Sequence, residues 1–538
     1  MSAVFILMAV LFVLGYTAIA LEHPLKIDKA ATALLLGSLL WAIYALGGDE
    51  VIRLNFSRAW KEYLEMHPDI VVNANTIKDF ITHHEVLEHL ADISTVLFFL
   101  LGAMTIVEIV DQHEGFKIIT DKIKTTNKVK LLWVVSFLTF FMSSVLDNLT
   151  TTIVIIALLR KLIDNKHDRW FFASMVVLAA NAGGAWSPIG DVTTIMLWIG
   201  EQVTTLNIMM KLIIPSLITM IIPLVVLSFT MKGEVQRPEK SEGEEDILTK
   251  KQQSLMLILG ISALLFVPVF KTFTHLPPYL GMLLGLSILW ITTELMHKKK
   301  KAEGRDCKLT VSTILKRVDI PTIFFFLGIL SAVAALQSAG HLDLLAKTLK
   351  DHHLGVYSVS IILGLMSSVI DNVPLVAASM GMYPIDPFHV QFMQDGVFWE
   401  LIAYTAGTGG SILIIGSAAG VAAMGLEKID FIWYFKKISL WALLGFFAGA
   451  GAYWLQEQIL PDSVEKRDIP MEKLPTKSKG YIEKNYSGAT IESVKLFLKH
   501  RKDTVGYIVD VKENNKVLVL EFNTDGSFEK VAGDTGKE

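Results

Sequence analysis

Apolar residues in this chain are gathered into long segments, and short polar stretches separate them. About 17 to 25 mostly apolar residues are enough for an α-helix to cross the hydrocarbon core of a bilayer. Such segments lie at residues 3–20, 30–47, 92–110, 131–159, 170–199, 208–230, 254–270, 279–295, 320–340, 354–381, 397–424 and 438–457. The pattern predicts an all-α polytopic membrane protein with a hydrophilic connection at 48–91.

Two of these segments are too long, and too polar at their centres, to be single crossings. Residues 131–159 and 354–381 both carry polar side chains at mid-length. A chain that enters to the midplane and returns to the same side explains both, because non-helical backbone is tolerated there only when protein shields it or it lines a cavity. The sequence therefore predicts ten crossings and two re-entrant hairpins.

The distribution of Lys and Arg predicts the orientation. The loops on one side hold 27 of these residues and the loops on the other side hold 8. Cytoplasmic loops carry the excess, so both chain ends are expected outside. Ala18-Ile19-Ala20 resembles a signal-peptide cleavage site, but the preceding residues lack a basic start, which favours a first helix that is retained.

Composition narrows the class of protein. Hydrophobic residues make up 52% of the 538 residues and charged residues only 19%, whereas soluble domains carry about 25% charged residues. These values exclude a soluble enzyme, a nucleic-acid-binding protein, a disordered chain and a disulfide-stabilised secreted domain.

The chain repeats itself. Residues 142–148 read Met-Ser-Ser-Val-Leu-Asp-Asn, and residues 366–372 read Met-Ser-Ser-Val-Ile-Asp-Asn. A Gly-Gly-x4-Ile-Gly pattern follows at 183–190 and again at 409–416. The order of the matches is preserved, so chance is a poor explanation.

The two halves, approximately 1–231 and 252–457, are each predicted to hold five crossings, one hairpin and one broken helix. Because five is odd, the halves must lie upside down relative to each other. Inverted repeats with broken helices are typical of secondary transporters, whose sites form near the midplane where the halves meet.

Polar residues concentrate where the two copies are interrupted. A carboxylate inside the membrane is costly and usually functional, and Asp147 and Asp371 occupy equivalent places in the two hairpins. Ser143 precedes Asp147 by four residues and is expected on the same helix face, with the hairpin turns following at 149–152 and 373–374. The candidate site residues are Ser143, Asp147, Asn148, Asn181, Asp191, Thr193, Thr194, Ser367, Asp371, Asn372, Thr408, Ser411 and Ser417.

This set of oxygen ligands favours a hard cation as the substrate. Asp147, Asp191 and Asp371 have no Lys or Arg at comparable depth. A metal cation and protons would compete for these carboxylates, which is the basis of antiport. A membrane-embedded hydrolase that uses the aspartates as acid and base is the alternative from another class, and it would gain nothing from an inverted repeat.

The connection at 48–91 contains His83-His84-Glu85-Val86-Leu87-Glu88-His89. This run resembles the His-Glu-x-x-His helix of zinc proteases, but its second histidine comes one residue too late. We expect a solvated segment or a surface patch that responds to pH.

The tail, residues 465–538, is expected to form a small α+β domain separate from the membrane domain at 1–460. Pro475–Tyr486 reads as a helix, residues 506–511 and 517–522 alternate as strands, and Asp525-Gly526 marks a turn. The charged run at 465–468 is expected to be a linker. The tail resembles a PepSY-like domain, which implies a location outside the membrane and an unidentified periplasmic partner.

The hairpins, with Asn181–Thr194 and Thr408–Ser417, resemble the NhaD-type sodium/proton antiporters of the ion-transporter superfamily. The resemblance covers about residues 1–457. It implies a homodimer in the bacterial inner membrane, in which mobile domains slide against a scaffold, elevator-fashion, and exchange cytoplasmic Na+ for external H+. Li+ is a candidate second substrate, and no cofactor is implied. By position, the candidate residues other than Ser143 and Thr408 match those that the family uses for ion binding.

The same superfamily supplies the main alternative. Dicarboxylate carriers are similar in plan but have Ser-Asn-Thr at the hairpin tips, where this chain has Asp-Asn. A sodium-coupled carrier of di- or tricarboxylates or another anion therefore stays open as the alternative to the antiporter.

Overall fold

The structure is a computed structural model, and nearly all of the chain is described. The prediction of a helical membrane protein is confirmed, since eight helices within the described residues are long and apolar enough to cross a membrane. The count of ten crossings stays a prediction. The described residues are 2–20, 22–120, 122–237, 248–302, 309–351, 355–386, 389–459, 464–486, 490–499, 504–513, 516–523 and 525–532.

The first half contains helices that follow the predicted apolar segments. A π-helical turn at Phe80–Glu85 joins α5 to α6. The hydrophilic connection at 48–91 is not a simple loop. It holds helices whose aromatic side chains, such as Trp60 and Phe80, are buried. The helices are α1 (Ala3–Ala20), α2 (Glu22–Leu25), α3 (Lys29–Ile52), α4 (Arg58–Met66), α5 (Ala74–Asp79), α6 (Val86–Gln112), α7 (Lys117–Thr120), α8 (Lys128–Leu146), α9 (Asn148–Leu162), α10 (Lys166–Ala185), α11 (Val192–Ile199) and α12 (Thr205–Thr230).

The second half repeats the succession of paired and broken helices. Short 3-10 and π-helical turns at Leu315–Arg317 and Phe435–Ser439 extend α15 and α22. The helices are α13 (Lys250–Thr274), α14 (Pro278–Ala302), α15 (Val311–Ile314), α16 (Ile320–Ser338), α17 (His341–Asp351), α18 (Val356–Met366), α19 (Asn372–Met382), α20 (Val397–Gly409), α21 (Ala418–Glu427), α22 (Phe431–Tyr434) and α23 (Leu440–Ile459).

The long helices pack in two groups. In the first, α3 lies against α1 and α16, while α6 contacts α13, α14 and α16. In the second, α8 packs on α10, α18 on α20, α9 on α21 and α12 on α23, and α10 contacts α12, α20 and α21. We call the first set the outer group and the second set the core group. The short helices α11 and α19, which both contact α20, belong to the core group. The two groups meet where α16 contacts α19, where α6 contacts α9 and α11, and where α13 contacts α8.

The predicted hairpins are interrupted earlier than the sequence suggested. Residues 149–152 and 373–374 are helical, and the breaks fall at Asp147, with φ of 75°, and at residues 367–371. Each aspartate caps the helix that follows it, which satisfies backbone N–H groups that have no partner in the helix. Asp147 therefore lies outside α8, and the predicted shared helix face with Ser143 is wrong.

The two broken crossings are interrupted at residues 186–191 and 410–417. Gly183 and Gly409 lie just before these breaks. A Cβ at Gly183 would collide with the carbonyl oxygen of Phe140 in α8, and a Cβ at Gly409 would collide with that of Gly364 in α18. Glycine at both positions therefore lets each broken helix touch the backbone of the paired helix beside it.

The described part of the tail forms a five-stranded antiparallel sheet with the strand order β1-β2-β3-β4-β5. Helix α24 (Thr476–Asn485) packs with it, and Gly526, with φ of +80°, lies in the predicted turn. The predicted helix and the two predicted strands are confirmed. The strands are β1 (Val464–Asp468), β2 (Thr490–Lys499), β3 (Thr504–Glu513), β4 (Lys516–Asn523) and β5 (Phe528–Ala532).

Two features of the tail differ from the prediction. The charged run at 465–468 belongs to β1, which pairs with β2, so it is not a free linker. Strand β2 escaped prediction because a β-bulge between Ile491 and Ser493 disrupts its alternation of apolar and polar residues. The apolar core of the tail also includes Val390 and Met393, from the connection between α19 and α20.

Candidate functional site

Asp191 lies at the centre of the core group, in the break between α10 and α11. Its side chain is 1% exposed and caps α11 by accepting the N–H of Thr193 at 3.1 Å. Oδ2 of Asp191 also accepts the side-chain amide of Asn148 at 2.8 Å and that of Asn372 at 3.1 Å. One buried carboxylate therefore receives an amide from the tip of each helix pair.

Asn181 connects the two broken crossings. Its Oδ1 accepts the amide of Asn148 at 3.0 Å. Its Nδ2 donates to Ser411 Oγ and Ser417 Oγ, both at 2.8 Å. Ser417 caps α21 with the backbone conformation that Asp191 has before α11, so equivalent positions of the two halves meet through one asparagine.

A cavity of about 30 Å³ opens beside this network. Its walls come from the tips of both helix pairs, from Asp191, and from Leu100, Met104, Thr322 and Phe326 of α6 and α16. Asp147, Asp191 and Asp371 all line it, as do Asn148 and Asn372. None of its described lining residues is Lys, Arg or His, so the cavity favours a positive charge.

Several oxygens near the cavity remain available to a ligand. The amides of Asn148 and Asn372 use Nδ2 toward Asp191, and their Oδ1 atoms accept no hydrogen bond among the described residues. Thr193 Oγ1 is also buried without a hydrogen-bond partner among the described residues, although Thr193 does not line the cavity. Carboxylate, amide and hydroxyl oxygens together form a ligand set for a hard cation.

Asp147 and Asp371 line the cavity while capping their own helices. Asp147 accepts the backbone N–H and the hydroxyl of Thr150, at 2.8 and 2.7 Å. Asp371 accepts the N–H of Val373 at 3.2 Å, and its own backbone N–H donates to the phenol oxygen Oη of Tyr16 in α1 at 2.8 Å. Their carboxylates are thus held at helix N-termini, where the partial positive charge favours an anion.

Eight candidate residues do not line the cavity: Ser143, Asn181, Thr193, Thr194, Ser367, Thr408, Ser411 and Ser417. Four of these eight hold the framework around it. Ser143 donates to the carbonyl of Ala180 at 2.6 Å, and Ser367 donates to that of Ala406 at 2.7 Å. Each bond ties a helix pair to the broken helix beside it. The other two make bonds within their own helices. Thr194 completes the cap of α11, and Thr408 donates to the carbonyl of Tyr404 at 2.6 Å.

Sequence reasoning missed two residues that hold the cavity aspartates and one buried carboxylate outside the cavity. Thr150 donates to the carboxylate of Asp147, and Tyr16 accepts the backbone N–H of Asp371. The Asp-x-x-Thr spacing of a helix cap was a signal for Thr150. Glu400 is a further buried carboxylate, 2% exposed, which accepts the amide of Asn207 at 2.5 Å and the hydroxyl of Tyr453. A lone glutamate inside the apolar segment 397–424 was the signal for it.

A helical membrane protein whose broken helices surround a cavity lined by carboxylates belongs to the class of membrane transporters. The family described as "Citrate transporter" matches residues 3–409. Two Arabidopsis thaliana proteins are similar to this chain. "Sodium/proton antiporter 1" is 45% identical over 450 residues, covering 83% of this chain and 71% of that protein. "Sodium/proton antiporter 2" is 43% identical over 451 residues, covering 83% and 98%.

A bacterial relative gives the same result. The "Na(+)/H(+) antiporter NhaD" of Vibrio cholerae serotype O1 is 30% identical over 461 residues, covering 79% of this chain and 86% of that protein. The chain belongs to this transporter family and, within it, to the NhaD-type sodium/proton antiporters. It is a transporter and not an enzyme, so the hydrolase alternative is set aside.

Proposed function

We propose that this protein exchanges cytoplasmic Na+ for external H+ at the cavity that Asp147, Asp191 and Asp371 line. The observation that carries the proposal is the position of Asp191, whose buried carboxylate receives one amide from each half of the chain. The printed names of the antiporter relatives support the same exchange. Li+ is proposed as a second substrate because its ligand preference is the same.

The exchange follows from competition for one set of oxygens. In the sodium-bound state, Asp191 is ionised and its charge is balanced by the cation, with Asn148 Oδ1, Asn372 Oδ1 and Thr193 Oγ1 as neutral ligands. Protons that reach the cavity neutralise the carboxylates and remove the attraction for Na+. A buried carboxylate without a balancing positive charge is costly, so the empty and ionised cavity is disfavoured. The protein therefore changes between its inward-open and outward-open states with either Na+ or protons bound.

An elevator movement and an inverted repeat are part of the proposal. The cavity lies where the core group meets α6 and α16, so sliding of the core group along the outer group would expose it first to one side and then to the other. Two cysteines can test this in a chain with Cys307→Ser. A short thiol cross-link between Phe326→Cys in α16 and Val373→Cys in α19 should stop transport reversibly.

The matched control for this experiment joins two helices of the core group. Trp133 in α8 donates to Ser228 in α12 at 2.8 Å, so a cross-link between Trp133→Cys and Ser228→Cys should leave transport unaffected. Unchanged transport after efficient cross-linking of the first pair would contradict the sliding movement.

A homodimer in the lipid bilayer is the proposed assembly. Large apolar side chains are exposed on α3, α12 and α13, among them Leu46, Phe229 and Phe273. Such surfaces suit contact with lipid or with a second copy. Light scattering of the purified protein, corrected for bound detergent, should give the mass of two chains.

The tail is proposed to lie outside the cytoplasm, with both chain ends. Its core includes Val390 and Met393, and the same connection contacts the α11–α12 turn, where Asp395 accepts the N–H and hydroxyl of Thr204 at 2.6 and 2.7 Å. These connections belong to the side with few Lys and Arg. A reporter fused after Glu538 should behave as periplasmic. In that location the surface of the tail would be accessible to a periplasmic partner.

A sodium-coupled carrier of carboxylates is the second candidate, because the matched family is described as a citrate transporter. Two observations count against it. No described lining residue of the cavity is cationic, and its volume of about 30 Å³ is far below that of a pocket for an organic ligand. In proteoliposomes, Na+ should drive proton flux, whereas citrate and succinate should neither be transported nor stimulate that flux. Sodium-dependent uptake of citrate would favour the carrier.

A further inference from the structure

The run from His83 to His89 was expected as a solvated segment or a surface patch. The structure makes it helical, with Glu85 buried and with His83 and Glu88 exposed. Its first part belongs to the π-helical turn, and its last part begins α6. Single π-helical turns are uncommon and are frequent at functional sites. Glu85 is 3% exposed, which is unusual for a carboxylate unless it is paired or binds a metal.

Three ligand atoms converge at this turn. His84 Nδ1 lies 3.3 Å from a carboxylate oxygen of Glu88 and 3.5 Å from Oε1 of Glu85. The three atoms lie within 4.8 Å of one another. His84 Nδ1 is buried and has no hydrogen-bond partner among the described residues. The second carboxylate oxygen of Glu85, Oε2, is also buried without a hydrogen-bond partner in this part of the chain and faces His89 rather than His84.

The two separations from His84 Nδ1, 3.3 and 3.5 Å, match a coordination shell better than a pair of hydrogen bonds. Zinc binds nitrogen and carboxylate ligands at about 2.0 to 2.2 Å with tetrahedral geometry, which places neighbouring ligand atoms about 3.3 to 3.6 Å apart. A neutral imidazole nitrogen can donate only one hydrogen atom, so it cannot satisfy two carboxylates at once. A cation between the three atoms would satisfy all of them.

We propose that His84, Glu85 and Glu88 bind a divalent transition-metal ion, with Zn2+ as the best fit to one imidazole and two carboxylates. His89 is a positioning residue, because its Nε2 lies 3.7 Å from the second oxygen of Glu85. Ligand carboxylates are commonly held by such partners. The side chains of His84 and Glu88 are 37% and 63% exposed, which leaves an entry path and room for water as a fourth ligand.

The site is independent of the cavity that binds the transported ions. Its ligands belong to the π-turn and the start of α6, whereas α6 lines the cavity with Leu100 and Met104. Metal binding can therefore be measured without transport, and the result does not depend on the proposed antiport.

The test is titration of the purified full-length protein, carrying a tag without histidine and treated with a chelator, with Zn2+ by calorimetry and with Co2+ by visible absorption. We expect one tight site, whose affinity falls at least about tenfold in His84→Ala and in Glu88→Gln. The matched control is His83→Ala, because His83 is a 74% exposed neighbour that faces Asp79.

The outcomes separate clearly. Equal affinities in wild type, His84→Ala and His83→Ala, with melting temperatures showing all three folded, would overturn the proposal. Glu88→Gln provides the second readout if His84→Ala is unstable, since Glu88 is largely exposed. Tetrahedral Co2+ absorption in wild type and in His83→Ala, but not in Glu88→Gln, would support it.

Discussion

Replacing Asp191 by asparagine should separate folding from transport. The carboxylate accepts hydrogen bonds from Thr193 N, Asn148 Nδ2 and Asn372 Nδ2. Bonds to an ionised acceptor contribute about 1.5 to 3 kcal/mol, against about 0.5 to 1.5 kcal/mol for neutral pairs. Asparagine keeps one acceptor oxygen and puts a donor in place of the other, so at least one of the three buried N–H groups also loses its acceptor. Removal of a buried charge offsets part of this loss, and the free energy of unfolding should fall by about 1 to 3 kcal/mol.

Transport should fall much further than stability in Asp191→Asn. The amide neither binds a proton nor attracts a cation, so sodium-driven proton flux in proteoliposomes should drop to that of empty liposomes, while the protein still elutes as a folded species. The matched control is Asp343→Asn. Asp343 accepts the N–H of Arg58 at 3.1 Å, outside the cavity. Proton flux in Asp191→Asn equal to that in Asp343→Asn would refute the role of Asp191.

Three further predictions concern packing, pH and the tail. Gly183→Ala should cost about 1 to 3 kcal/mol or more of stability and impair transport, because its Cβ meets backbone, whereas Gly451→Ala, with open space around it, should be neutral in thermal melts. Burial lowers the pKa of His113, just beyond α6, to about 4 from 6.5. The neutral ring, 3.0 Å from His297 Nε2, stabilises the fold above pH 6.5 and loses this contribution as pH falls through 4, so His113→Gln should flatten the decline of melting temperature across that window. Val390→Asp should make the tail susceptible to limited proteolysis while transport persists. The substitution places a carboxylate in the apolar core that the tail shares with the α19–α20 connection.

The hydrophobic pattern was sufficient to predict the helical membrane part, since burial in lipid requires long apolar helices. The Gly-Gly-x4-Ile-Gly patterns at 183–190 and 409–416 are followed directly by Asp191 and Ser417, which the structure places at matching helix caps. The contact of Asn181 with Ser411 and Ser417 joins positions more than two hundred residues apart, so local spacing could not reveal which oxygens each amide faces.

The errors arose in two ways, one from local backbone geometry and one from contacts between distant parts of the chain. Asp147 was placed on a helix face with Ser143, although an aspartate three residues before a threonine also fits a helix cap, and the structure has the cap. Glu85 was assigned to a solvated connection because the surrounding window is polar. Packing of α3, α4 and the π-turn, which buries it, depends on contacts between distant parts of the chain.

The central claim is that Na+ and protons share one set of carboxylates, and the pH dependence of sodium affinity tests it most directly. The measurement is the Na+ concentration that gives half-maximal proton flux in proteoliposomes, taken over several pH values with equal pH on both sides at the start. As pH falls into the range where protons occupy the cavity, this concentration should rise, approaching about tenfold per pH unit for each proton displaced. A half-maximal concentration that stays constant over several pH units would contradict a shared site.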